Sequence, residues 1–96
     1  MIRIVKLTLK EEYVADFLAN FEQQKAHIRA FKGVQHLELL NDKNNPNIYF
    51  TYSIWTSEQH LENYRNSDLF KGIWAVTKPM FAAKAEAWSV ESLQRL

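Results

Sequence analysis

The chain has 96 residues, enough for one domain spanning 1–96 and too few for two separate hydrophobic cores. Its 12 basic and 11 acidic residues leave a net charge of +1, so it lacks the basic surplus with which proteins bind nucleic-acid phosphates. Cysteine is absent, which excludes disulfides, thiolate nucleophiles and thiolate metal sites.

The N-terminal third predicts a strand followed by an amphipathic helix. Alternation over Ile2–Leu9 is typical of a strand and places aliphatic side chains on both of its faces. The helix is predicted to begin at Lys10 with acids in its first turn, and Gly33 is predicted to end it as a left-handed cap. Its inward stripe has helical spacing and consists of Val14, Phe17, Leu18, Phe21 and Ile28.

The middle of the chain predicts a β-hairpin. The second strand, Val34–Leu40, places Leu37 and Leu39 on one face. Its other face is predicted to be mixed and to carry Val34, His36, Glu38 and Leu40. A polar turn at 41–46 leads into the third strand, Ile48–Trp55, which is again bulky on both faces.

The last part predicts a helix broken in two and a final strand. Thr56 or Ser57 caps the first piece, Ser67-Asp68 caps the second, and Pro79 ends it before a strand at Ala82–Val90. The order β-α-β-β-α-β predicts an α+β, ferredoxin-like fold with both helices on one face of a four-stranded antiparallel sheet. The second strand then lies at an edge of the sheet.

The two-sided strands predict a homodimer. Helices cover only one face of such a sheet, so the other face should be polar, but the first and third strands are apolar on both faces. We therefore expect the uncovered face to pack sheet-on-sheet against the same face of a second copy.

Hydropathy predicts neither a membrane span nor an export leader. The apolar runs are only a few residues long, and the N-terminus has no basic segment followed by an apolar one. The expected location is the cytoplasm, with no membrane contact.

A resemblance to a known family centres on the third strand and the broken helix. The residues that carry it are Phe31-Lys32-Gly33-Val34, Ile54-Trp55-Thr56-Ser57-Glu58-Gln59, Leu61 and Ser67-Asp68-Leu69-Phe70-Lys71. This pattern is similar to the antibiotic biosynthesis monooxygenase family of dimeric α/β-barrel proteins. In oxygenases of that family, a phenolic substrate held as its anion reacts directly with dioxygen, without a metal or flavin.

The resemblance implies a cofactor-independent monooxygenase-like protein that binds a small aromatic or quinone-type molecule between its sheet and helices. The alternative is a non-catalytic binding module, or a dimeric assembly module, of the same fold. In the haem-degrading branch, an asparagine, an aromatic residue and an iron-ligating histidine occupy the positions of Val5, Tyr64 and Trp74. Only the aromatic residue is present here, so no haem and no other cofactor is expected.

Two side chains are candidates for catalysis. Tyr64 is the leading one, as a phenol that orients a substrate oxygen; the alternative is a core tyrosine bonded to the backbone. His60 lies one helical turn earlier and is predicted as a base beside that phenol, unless it is simply an exposed histidine. The predicted ligand-binding rings, which plain core packing would also explain, are Phe17, Phe21, Tyr64, Phe70 and Trp74.

His36 and Glu38 share one face of the predicted edge strand. Two ligands without a third make a weak metal site, whereas a charge pair at a sheet edge discourages unwanted strand pairing. We therefore interpret them as an edge pair and expect no metal.

Overall fold

The computed structural model describes residues 1–96, in which three helices cover one face of a four-stranded antiparallel sheet. The strands are β1 Ile2–Thr8, β2 Val34–Asn41, β3 Ile48–Trp55 and β4 Glu86–Val90, and the helices are α1 Val14–Arg29, α2 Glu58–Arg65 and α3 Asp68–Thr77. The sheet order β2-β3-β1-β4 places β2 at an edge. The α+β, ferredoxin-like fold with a second helix broken in two is confirmed.

Two serines produce the broken helix. The Ser57 hydroxyl accepts a hydrogen bond from the His60 amide at 3.3 Å and caps α2. The Ser67 hydroxyl donates to the Tyr64 carbonyl at 2.6 Å and accepts from the Phe70 amide at 3.1 Å. Because Ser67 satisfies the last turn of α2 and the first turn of α3 together, the chain changes direction there without leaving either helix end unpaired.

The core lies between the sheet and the helices in two clusters of buried side chains. One cluster contains Ile28, Val34, Trp55, Leu61 and Tyr64, and the other contains Leu7, Leu9, Phe17 and Tyr49. The inward stripe of α1 is narrower than predicted, because Leu18 is 40% exposed.

The start and end of α1 differ from the prediction. Glu11–Tyr13 forms a 3-10 turn before the α-helix, and α1 already ends at Arg29. Gly33 has the predicted left-handed conformation, with φ of +97°, but it lies in the turn that leads into β2. A Cβ atom at Gly33 would clash with the His60 side chain, so the glycine permits close approach of this turn to α2 rather than capping α1.

A β-bulge at Gln35 makes the predicted facing of Val34 wrong. Val34 pairs with Trp55 and His36 pairs with Ile54, so β2 advances by two residues where β3 advances by only one. Val34 therefore lies on the helix-covered face of the sheet, where it is buried.

The fourth strand begins four residues later than predicted. Phe81 pairs with Leu9 in an isolated bridge, and continuation of that register would place Lys84 opposite Lys6. Lys6 faces Glu86 instead, so two extra residues leave the ladder and 82–85 form a loop. Trp88 and Val90 lie on the uncovered face, and Ala87 lies on the covered one.

No helix of the structure has the length and apolar character needed to cross a membrane.

Candidate functional site

A cavity of about 790 Å³ lies between the sheet and the helices, and 18 of its 25 lining residues are hydrophobic. This volume is in the range of small-molecule sites, which are generally concave and mostly apolar. The structure places all the predicted ligand-binding rings in its wall, namely Phe17, Phe21, Tyr64, Phe70 and Trp74. The rings thus surround open space rather than filling it.

Small side chains on the covered face of the sheet make room for this cavity. Thr51 and Ser53 of β3 and Ala87 of β4 line it, and the loop 82–85 adds further small residues. The two residues that leave the β4 ladder therefore also form part of the cavity wall.

Aromatic contacts hold one side of the wall in a fixed arrangement. The Tyr64 ring lies 5.2 Å from Phe70 and 5.3 Å from Trp55, measured between ring centroids. Phe70 stacks on Trp74 with an interplanar angle of 16°, and Trp74 meets Phe81 edge-on at 5.4 Å. Such aromatic pairs stabilise the fold beyond what burial of the rings contributes, so they keep these rings in place.

Tyr64 presents a free hydroxyl. The residue is only 9% exposed, yet its hydroxyl makes no hydrogen bond within the chain. No fully buried polar side-chain atom lacks a partner, so this hydroxyl reaches accessible space. Burial raises the pKa of Tyr64 to about 12, which keeps the phenol protonated at neutral pH. The group is therefore a hydrogen-bond donor, and the backbone bond of a plain core tyrosine is not seen.

His60 does not line the cavity. Its Nδ1 atom lies 2.7 Å from the Ser57 hydroxyl, and its ring packs against Gly33. The structure therefore does not bring His60 and Tyr64 together in the cavity, although they are one helical turn apart.

Most other polar groups in the wall are already paired. Trp55 Nε1 donates to the Ser53 hydroxyl at 2.9 Å, and that hydroxyl donates to the Arg3 carbonyl at 3.4 Å. The Thr77 hydroxyl donates to the Ile73 carbonyl at 2.7 Å. Neither a histidine nor a carboxylate is present in the wall, so it offers donors but no ordinary base.

Charged residues of the cavity wall were missed by the sequence analysis. All four are basic: Arg3, Arg65, Lys78 and Lys84. A signal for Arg3 was available, because it shares the covered face of a central strand with Val5 and Leu7, where a charge is unusual.

His36 and Glu38 lie on the uncovered face, away from the cavity. His36 Nε2 and Glu38 Oε1 are 2.6 Å apart on the edge strand β2. No group of three or more histidine or acidic side chains is arranged to hold a metal ion.

A ferredoxin-like sheet with an apolar cavity beneath a broken helix defines a class of small α+β domains. Within that class, the sequence pattern that defines the antibiotic biosynthesis monooxygenases matches residues 1–75. The chain belongs to the antibiotic biosynthesis monooxygenase family.

Solved structures share the whole fold at low sequence identity. A conserved protein from Methanosarcina mazei Go1 is 24% identical over 90% of this chain and 86% of its own, with a TM-score of 0.84. A protein from Nitrosomonas europaea, provisionally named an antibiotic biosynthesis monooxygenase, is 11% identical over 97% of this chain and 98% of its own, with a TM-score of 0.89. A similarly named protein from Caulobacter crescentus CB15 is 18% identical over 97% and 89%, also with a TM-score of 0.89. At these identities the likeness concerns the fold alone. None of the curated proteins compared with the chain matches it.

Proposed function

We propose that the protein binds a small aromatic or quinone-type molecule in the cavity and oxygenates it without a cofactor. The observation that carries the proposal is an open apolar cavity walled by rings, with the unpaired Tyr64 hydroxyl as a donor. Family membership supports it, since the sequence pattern covers β1 to α3, the elements that form most of the cavity.

The proposed chemistry uses Tyr64 as a donor and the substrate as the source of electrons. An electron-rich ring held as its anion reduces dioxygen, and the Tyr64 hydroxyl stabilises the negative charge on the substrate oxygen. For an anthrone, one oxygen atom becomes a new ring carbonyl, and the other leaves as water with the two displaced hydrogens. The apolar walls exclude water and strengthen the hydrogen bond from Tyr64.

His60 remains the predicted base, although it is held at Ser57 outside the cavity wall. A His60→Gln variant tests that role through the pH dependence of kcat/KM. If His60 accepts the substrate proton, the acidic limb of the profile disappears in the variant.

The deciding experiment is oxygen uptake with a panel of anthrones and hydroquinones. We expect uptake with at least one of them, and a kcat/KM about 10- to 100-fold lower in Tyr64→Phe, because a hydrogen bond to a charged oxygen is lost. The matched control is Tyr13→Phe, which removes an exposed phenol that does not line the cavity. Equal rates in wild type and Tyr64→Phe would remove Tyr64 from the mechanism.

The second candidate is a binding protein without catalysis, and the absence of a carboxylate or histidine from the wall favours it. In that case the same panel would quench tryptophan fluorescence saturably while oxygen uptake stayed at the uncatalysed rate. If no compound bound, both candidates would fail together.

We further propose that the protein is a homodimer through the uncovered face of the sheet. This face presents a continuous apolar surface formed by Ile2, Ile4, Phe50, Tyr52, Ile54, Trp88 and Val90. Trp88 is 46% exposed in the single chain, and a second copy would bury it.

Light scattering tests the dimer directly. We expect twice the chain mass for the wild type and a single chain mass for Trp88→Glu, since a buried carboxylate opposes the contact. Leu93→Glu, at a residue that is 94% exposed beyond β4, is the control and should remain dimeric. A monomeric wild type at micromolar concentration would refute this part of the proposal.

A further inference from the structure

The charges in the cavity wall have a single sign. Arg3, Arg65, Lys78 and Lys84 line the cavity, whereas no aspartate or glutamate does, although the whole chain is almost neutral. Lys78 and Lys84 are exposed, and solvation alone accounts for them. Arg3 is different, because it is half-buried, and Arg65, although exposed, adds a further positive charge to the same wall.

Arg3 lacks a counter-ion. It is half-buried on the covered face of β1, and no carboxylate lies within 4 Å of its guanidinium. Its only side-chain hydrogen bond is donated to the neutral Ser89 hydroxyl at 3.0 Å. A guanidinium carries several more N–H donors, so most of its hydrogen-bonding capacity is available to a ligand.

Arg65 brings a second positive charge to the same place. Burial lowers the pKa of the Arg3 guanidinium, the charge of Arg65 lowers it further, and Glu62 acts in the opposite direction. Arg65 itself has only a loose contact with Glu62, at 3.7 Å, on the exposed side of α2. Two arginines that repel each other at the edge of an apolar cavity are stabilised by an anion placed between them.

The residues that line the cavity indicate the chemical nature of that anion. Arg65 follows Tyr64 in α2, and Arg3 pairs across the sheet with Ser53, which accepts from the Trp55 indole. Both arginines line the same cavity as the rings of Tyr64, Phe70 and Trp74. Arginine binds planar oxygen anions in a forked geometry, which suits the two oxygens of a carboxylate attached to a ring.

We propose that the ligand is an aromatic acid whose carboxylate binds to Arg3 and Arg65 while its ring lies against Tyr64, Phe70 and Trp74. This inference rests on the proposed binding function and gives the chemical class of its ligand.

The test compares two probes of equal shape and different charge, 2-naphthoate and 2-naphthamide, by calorimetric titration. We expect 2-naphthoate to bind about 10- to 100-fold more tightly, as charge-assisted hydrogen bonds do. Added salt should reduce that ratio, because it screens the partly exposed pair. A third probe, 4-nitrophenol at a pH where it is ionised, distinguishes phenolate from carboxylate binding.

The variant Arg3→Gln/Arg65→Gln should lose the preference for 2-naphthoate while its affinity for 2-naphthamide stays within about twofold. Retained naphthamide binding also shows that the variant has folded. The control is Lys71→Gln, which removes an exposed cation of α3 that does not line the cavity.

The outcomes separate this inference from the proposed function. If 2-naphthamide binds as tightly as 2-naphthoate to the wild type, the anion site is refuted and the aromatic cavity stands. A preference that survives in the double variant refutes the assignment to Arg3 and Arg65. If neither probe binds the wild type, the proposed binding function fails as well. Should the double variant not fold, the wild-type ratio alone still decides the first of these.

Discussion

The same four strands form both faces of the sheet, but the side chains on the two faces differ in size and polarity. On the helix-covered face, β3 presents Thr51 and Ser53, whose small polar side chains leave space beneath the helices. On the uncovered face, the same strand presents Phe50, Tyr52 and Ile54, which are bulkier and more apolar. At the centre of β3, the side chains that face the inside of the domain are therefore smaller than those on the uncovered face.

This difference suits the covered face to enclosing a cavity and the uncovered face to contact with a partner surface. A core packed to normal density has no room for a ligand, so a cavity requires small residues at the centre of the covered face. Bulky residues on the uncovered face leave a surface that water solvates poorly and that a flat partner surface can cover. The comparison between Trp55, 2% exposed, and Trp88, 46% exposed, shows the contrast for one residue type.

The largest expected effect is the difference in the free energy of unfolding between the single variants Trp55→Ala and Trp88→Ala. Trp55→Ala should lower the free energy of unfolding by about 3–5 kcal/mol, because a buried ring and its hydrogen bond to Ser53 are lost. Trp88→Ala should cost less than about 1 kcal/mol at protein concentrations where the chain is monomeric. Urea denaturation followed by circular dichroism measures both, and equal losses would contradict the assignment of the two faces.

A smaller effect should appear at alkaline pH. The pKa of Tyr64 is raised to about 12 by burial, whereas in the unfolded chain a tyrosine titrates near its ordinary value of 10.0. Below that value the group is protonated in both states. As pH rises from 10 toward 12, the unfolded state loses the proton first, so stability decreases by about 2–3 kcal/mol.

Tyr64→Phe should remove this alkaline loss while leaving stability at pH 7 nearly unchanged, since its hydroxyl has no protein partner to lose. The measurement is the free energy of unfolding from pH 8 to 12 for wild type and variant. Tyr13→Phe, which removes an exposed phenol, is the control. Parallel curves for wild type and Tyr64→Phe would show that Tyr64 does not titrate in this way.

The smallest expected effect concerns the charge pair of the uncovered face. His36 and Glu38 are 44% and 48% exposed, so Glu38→Gln should change the stability of the single chain by about 0–1 kcal/mol. If a second copy covers this face, the same change should weaken dimerisation measurably. Glu22→Gln, which breaks the exposed pair with Lys25 on α1, is the control for the monomer. Dimer dissociation constants from sedimentation show whether a second copy covers the charge pair or leaves it in solvent.

Local patterns in the sequence were sufficient for most of the fold. The alternation of Ile48–Trp55, the polar turn before it and the serine caps at Ser57 and Ser67 act within a few residues, so they can be read without the rest of the chain. The position of β2 at the edge follows from element order and the handedness of crossovers. The apolar character of both faces of β1 and β3 is likewise a property of spacing alone.

The predictions were wrong where one or two extra residues change the register of a strand. The bulge at Gln35 reverses the facing of Val34, and two unpaired residues before Glu86 shorten β4. Both depend on which partner residue lies across the sheet, and that partner is distant in sequence. Alternation cannot reveal them, because it counts residues along one strand only.

The sequence was sufficient to predict the rings of the candidate site, but not that charged residues from distant elements meet in one cavity wall. Helical spacing turns Phe17, Tyr64 and Trp74 inward in any packing of this fold, so their convergence follows from the sequence. Whether they fill the core or enclose a cavity depends on the small residues they meet on β3 and β4, which only tertiary structure brings opposite them. The same holds for Arg3 and Arg65, which are 62 positions apart in the chain. Their charges act on each other because β1 and α2 both contribute to the wall of the same cavity.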